Sequence, residues 1–120
     1  MWTFIRDQGF FSVVQTSTIA KDEVMVRGRC VDDLRRLIDS IGMPTEKIYL
    51  SPGADYIARV IIPKEKWAQY LADQAMKIDY PNFKDTIPHD DKDRYYAYSG
   101  AWLALKEWQV TSKLAQTFRR

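Results

Sequence analysis

Val24-Met25-Val26-Arg27-Gly28-Arg29-Cys30, followed at once by Val31-Asp32-Asp33-Leu34-Arg35-Arg36-Leu37-Ile38-Asp39-Ser40-Ile41, decides the fold of this chain. The first seven residues alternate. Val24, Val26, Gly28 and Cys30 point one way and Met25, Arg27 and Arg29 the other, as in a strand with one buried face. At Val31 the period changes, because Val31, Leu34, Leu37, Ile38 and Ile41 recur at helical spacing. Asp32 and Asp33 suit a helix N-terminus, and Gly42 with Pro44 forms a stop signal. Upstream, Phe10-Phe11-Ser12-Val13-Val14-Gln15 is β-branched and aromatic and reads as a strand. Polar residues 16–23 close a hairpin between the two strands. Trp2-Thr3-Phe4-Ile5 either extends the first strand or pairs with it, and Arg6-Asp7-Gln8-Gly9 forms a tight turn or a glycine bulge.

The same order then returns. Lys47-Ile48-Tyr49-Leu50 is a short strand, Ser51-Pro52-Gly53-Ala54 a turn, and residues 56–62 a nearly continuous apolar strand broken by Arg59. Pro63 ends that strand and opens a helix over residues 64–78. Trp67, Leu71, Ala75 and Ile78 form its stripe, with Tyr70 beside it. Two ββα units of this kind predict an α+β fold. Its core is a mainly antiparallel sheet of four strands, or five with residues 2–5, amounting to a permuted ferredoxin-like arrangement with both helices on one face. Residues 79–93 form a loop with Pro81, Pro88 and several aspartates. A third helix begins near Arg94, capped by Asp93. Residues 1–110 make one domain, and residues 111–120 a polar tail or frayed helix end.

Bulk properties narrow the function classes. The chain has 120 residues, 46% hydrophobic and 28% charged, as in an ordinary globular domain. The net charge of +2 is too small to signal nucleic acid by itself. One cysteine, Cys30, cannot form an internal disulfide and fits a reducing cytosol. Met1-Trp2-Thr3-Phe4-Ile5-Arg6-Asp7 lacks the basic and apolar regions of a signal peptide, and no apolar run approaches a membrane span. His89-Asp90-Asp91 with Asp93 matches neither a zinc site nor an EF-hand loop. Cys30 reads as a buried inert thiol. No phosphate loop or nucleophile elbow is present. No catalytic residue, metal or cofactor is therefore expected.

Three groups of residues remain as candidates. Arg27 and Arg29 share a sheet face with Met25, and Arg59 joins them if its strand is in phase. Phe11 or Tyr49 would add aromatic surface there, in the manner of modules that bind single-stranded nucleic acid. Asp55-Tyr56 lies close in sequence to Arg59, but alternation puts Tyr56 and Arg59 on opposite faces. A buried Arg59 would need a carboxylate such as Asp79 or Asp85. The second group is Asp79-Tyr80-Pro81-Asn82-Phe83-Lys84-Asp85, where Asp79, Tyr80, Asn82 and Lys84 put an acid, a phenol, an amide and an amine on one loop. The third is the last helix, whose Tyr95, Tyr96, Tyr98, Trp102 and Trp108 go most of the way round it. Core burial accounts for Tyr98, Trp102 and Leu105. Tyr96 and Trp108 are left for an interface.

Met1-Trp2-x-Phe4, Gly9-Phe10-Phe11-Ser12-Val13-Val14-Gln15, Asp55-Tyr56 with Arg59, and Asp79-Tyr80 with Asn82-Phe83-Lys84 together resemble a family of small bacterial proteins to which no activity attaches. The resemblance spans most of the chain through the last helix. It implies a bacterial or phage cytosolic protein and carries over no catalytic residue. The sequence therefore favours a non-enzymatic binding or regulatory domain that works through protein contacts, as a homo-oligomer or with a protein partner. Tyr95, Tyr96, Trp102 and Trp108 would form its interface. One rival is nucleic-acid or nucleotide binding by Arg27, Arg29 and Arg59. The other is a small enzyme with a polar site near Asp79, Tyr80, Asn82 and Lys84.

Overall fold

The computed structural model describes residues 1–117; residues 118–120 of the expected tail lie outside the described residues. Its contacts gather into two compact units, Met1–Asp79 and a second that begins at Tyr80.

The first unit is a five-stranded antiparallel sheet with two helices. The strands are β1 (Trp2–Ile5), β2 (Gly9–Val14), β3 (Glu23–Gly28), β4 (Tyr49–Leu50) and β5 (Ala58–Pro63), in the spatial order β1-β2-β3-β5-β4. Helix α1 (Val31–Ile41) follows β3, and α2 (Lys64–Ala75) follows β5. The period change at Val31 is thus a true element boundary. Gly42 closes α1 in the left-handed conformation at φ 72°, and Met43 N–H reaches the Ile38 carbonyl at 3.0 Å.

One sheet face carries the core. Phe11, Val13, Val24, Val26, Ala58, Val60 and Ile62 pack against Leu34, Leu37 and Ile38 of α1 and Trp67 and Tyr70 of α2. Phe11 is fully buried and meets Trp67 and Tyr70 edge-on, at 6.0 and 6.2 Å between ring centroids. Removing such a ring from a close-packed core costs about 3–5 kcal/mol.

Several element boundaries differ from the sequence reading, each for a local reason. Strand β1 pairs with β2, one of the two arrangements that the sequence allowed, and the turn between them holds Asp7 at φ 61° and Gly9 at φ 138°. Strand β2 stops at Val14 because the Gln15 side-chain amide donates to the carbonyls of Ala20, Lys21 and Glu23. Strand β4 keeps two residues because Thr45–Lys47 forms a 3-10 turn first. Tyr56 lies outside β5, and its backbone N–H is taken by the Asp55 carboxylate at 3.0 Å. In α2, Tyr70 is a core residue while Ala75 and Ile78 are exposed. The helix ends before Ile78, and the Lys77 carbonyl is held at 2.8 Å by Arg6.

The second unit contains a 3-10 turn at Lys84–Thr86 and a long helix, α3 (Lys92–Thr111). Asp91, not Asp93, caps this helix, accepting from Arg94 N–H at 3.2 Å. Among the described residues no helix is long and apolar enough to cross a membrane.

Candidate functional site

The face of the sheet opposite the core holds a row set by strand register. Trp2 stands opposite Ser12, Ser12 opposite Arg27, Arg27 opposite Arg59, and Arg59 opposite Tyr49. Directly opposed residues of antiparallel strands share a face, so the row puts two guanidinium groups side by side. Arg59 is therefore in phase with Arg27, as its alternation allowed.

The surroundings of this pair differ from expectation in three ways. Phe11 belongs to the core face, because alternation from Ser12 turns it inward; Tyr49 alone supplies the expected aromatic surface, its hydroxyl 3.9 Å from Met25 Sδ. Tyr56 joins the arginines after all. It is free of strand alternation and buried, and the guanidinium carbons of Arg27 and Arg29 lie 4.6 and 4.2 Å from its ring centroid. The partner of Arg59 is Asp55, at 3.4 Å, and not Asp79 or Asp85.

The remaining bonds of the cluster are few. Arg27 donates to Ser12 Oγ at 2.7 Å, while its Nε is buried without a hydrogen-bond acceptor. Arg29 donates to the Asp55 carbonyl at 2.6 Å. Three guanidinium groups thus face one carboxylate, leaving a local excess of two positive charges. Tyr56 already carries the chain's own cations on its ring, so the cluster offers charge rather than an open stacking surface.

A polar network beneath the β1–β2 turn was not singled out in the sequence. Asp33 is a buried carboxylate on the first turn of α1. It accepts from Phe10 N–H at 3.1 Å, from Arg36 at 2.5 Å, and from the Cys30 thiol at 3.5 Å. Arg36 also donates to the Gln8 carbonyl at 2.9 Å, and Gln8 Oε1 accepts the Tyr70 hydroxyl at 2.7 Å. Burial, the largest cause, together with the nearby Asp33 charge, raises the Tyr70 pKa well above its ordinary value, against the lowering effect of Arg36. The network ties the turn to both helices. The signal for it was present in Gly9 and Asp33, but their proximity depends on the hairpin docking over α1.

The segment from Asp79 to Asp85 divides between the two units. Asp79 pairs with Arg6 at 2.5 Å in the first. In the second, Asn82 Oδ1 accepts the Lys84 N–H at 2.9 Å, an Asx turn. Tyr80 packs against Phe83, and Phe83 stacks on Tyr98 at 6.0 Å. The Lys84 ammonium lies 4.4 Å from the Trp102 ring centroid. A shallow groove of about 570 Å³ is lined by Lys84, Asp85, Ile87, His89, Tyr95 and Tyr96 among others.

No residue of helix α3 is fully buried. Trp102 is 52% exposed and Leu105 69%, so the core burial expected for them does not occur; Tyr98 is half-buried. Tyr95, Tyr96 and Trp108 are exposed as well, Tyr96 the most at 73%. Among the described residues no group of three or more His, Cys, Asp or Glu is arranged to hold a metal ion. The chain matches no family model, no curated protein and no solved structure.

Proposed function

We propose that this chain is a non-enzymatic binding domain of the cytosol that acts through protein contacts, with α3 as its contact surface. The observation that carries this reading is the helix itself. It runs for 20 residues, has no fully buried residue, and exposes Tyr96, Trp102, Leu103, Leu105 and Trp108. Aromatic rings of this size are the residues that dominate protein interfaces, and a helix that buries none of them within its own chain gains most from a partner. Trp108→Ala and Tyr96→Ala test the reading: each removes an exposed ring and leaves the core untouched. Altered assembly mass or lost partner recovery, with unchanged circular dichroism, supports it. Unchanged mass and unchanged recovery in both variants refute it.

The basic row favours a second reading, anion binding on the sheet. Like charges set directly opposite on neighbouring strands destabilise a sheet. Arg27 opposite Arg59, with Arg29 sharing the Tyr56 ring, keeps that cost, and among the described residues Asp55 is the carboxylate that pairs with the group. A nucleotide or nucleic-acid phosphate would relieve it. Arg29→Gln is the suitable variant because this side chain is exposed. Binding of a nucleotide at low salt that the variant loses supports this reading; no binding at low salt removes it.

A further inference from the structure

The residues of α3 that lie on one side of the helix spell out a partner. Lys92, Tyr96, Ser99, Leu103, Lys106 and Val110 follow one another at spacings of four, three, four, three and four. Such spacing keeps them on a single face, flanked by Asp93, Gly100 and Glu107. Tyr96, Leu103 and Val110 on this face are all at least half exposed. Midway along the helix, on the flank of this face, stands Gly100. A glycine inside a helix costs about 1 kcal/mol relative to alanine. Nothing among the described residues requires it, for a Cβ built there meets none of their atoms within 4 Å. Beside it, Ser99 Oγ is buried with no hydrogen-bond partner among the described residues.

We infer that the partner of α3 is α3 of a second copy of this chain, crossing antiparallel at Ser99–Gly100. This rests on the reading of α3 as the contact surface and names its occupant. A two-fold axis makes the pairing reciprocal: a residue a given number of positions before the crossing meets one the same number after it. Counted from a centre between Ser99 and Gly100, Tyr96 falls level with Leu103 of the second copy. Lys92 falls level with Glu107, close to it round the helix. This pair of opposite charges thus meets twice over by symmetry. Each large apolar residue nearest the centre meets another. The small residues sit where the backbones come closest, which gives Gly100 the close-approach role its own chain does not supply. A parallel pair would set Lys92 against Lys92 and Glu107 against Glu107, so the charge order selects the antiparallel sense.

Sedimentation equilibrium on the full chain tests the inference. The wild type is expected to form a dimer at micromolar concentration. Lys92→Glu and Glu107→Lys are each expected to raise the dimer dissociation constant about tenfold, by setting like charges opposite. The double variant is expected to recover most of the loss. Neither change weakens the helix itself, since an acid near its start and a base near its end both suit the dipole. Gly100→Leu is expected to abolish the dimer while leaving circular dichroism unchanged, because the site is open within one chain. A monomer throughout overturns the inference. So does a dimer that tolerates Gly100→Leu, or one in which the charge reversals add rather than rescue. If that dimer still dissociates with Trp108→Ala, α3 remains the contact surface and only the antiparallel pairing falls.

Discussion

Gly9→Ala tests how the β1–β2 turn is fastened to α1. At Gly9 a Cβ would lie 2.2 Å from Asp33 Cγ, where ordinary contact begins at 3.4 Å. One group must therefore move by about an ångström. Neither moves cheaply. The backbone at Gly9 is held by pairing with Ile5, and its φ of 138° is already unfavourable for a residue with a side chain. The Asp33 carboxylate is held by Phe10 N–H and the Arg36 guanidinium. Hydrogen bonds to charged groups contribute about 1.5–3 kcal/mol each, and positive-φ strain about 1–2 kcal/mol more. The sum is about 4–8 kcal/mol, a large part of the about 5–15 kcal/mol that holds a domain together. Gly42→Ala is the control, since Gly42 has φ 72° with nothing within 4 Å. It should cost about 1 kcal/mol. Urea unfolding followed by circular dichroism gives both values from the shift in midpoint. A Gly9→Ala variant that loses no more stability than Gly42→Ala would refute the account of this junction.

Tyr70→Phe should lose about 1 kcal/mol with the hydroxyl bond to Gln8, read by urea unfolding at pH 7. Because the folded pKa of Tyr70 is raised, the wild type should keep its full stability below about pH 10, where the unfolded phenol titrates, and lose it progressively above. The variant should lack that part of the alkaline slope. Asp91→Ala should destabilise α3 by about 1 kcal/mol and reduce helical ellipticity, whereas Asp93→Ala should change either measure by less than half as much, because Asp91 is the cap. Trp102→Ala should leave the urea midpoint of the sheet unit unchanged within about 0.5 kcal/mol, since Trp102 lies outside the core.

Much of the first unit was legible because burial there repeats with a period. Alternation in residues 24–30 and the helical spacing after Val31 each specify one face, and the sheet and α1 follow. The antiparallel α+β class came from the same rule, while the phase of Arg59 against Arg27 stayed open until the strand register set it. Where a side chain leaves that rule, sequence reading loses it. Tyr56 was placed on the wrong side because it lies in a bend fixed by Asp55, not in the strand. Phe11 was offered to the basic face although Ser12, its neighbour, shows the opposite phase. The Asp33 network depends on a contact between residues more than twenty positions apart, which no local pattern records.

Helix α3 shows the reverse difficulty. Tyr95, Tyr98, Trp102 and Leu105 have the spacing of a core stripe, and spacing alone cannot say whether the core is the chain's own. Here Trp102 and Leu105 stay exposed. The second face, with Lys92, Tyr96, Ser99, Leu103, Lys106 and Val110, carries little apolar signal in the sequence because its serine and lysines dilute it. Gly100 becomes informative only once the structure shows open space around it.

Amide hydrogen exchange measured over a range of protein concentrations tests the central claim most directly. If α3 is covered by a second copy, amides of Lys92–Thr111 should gain protection as concentration rises, with exchange slowing at least tenfold, while the β2, β3 and β5 amides stay constant. Exchange from α3 that is the same at every concentration, in a chain whose mass stays that of a monomer, would contradict the account.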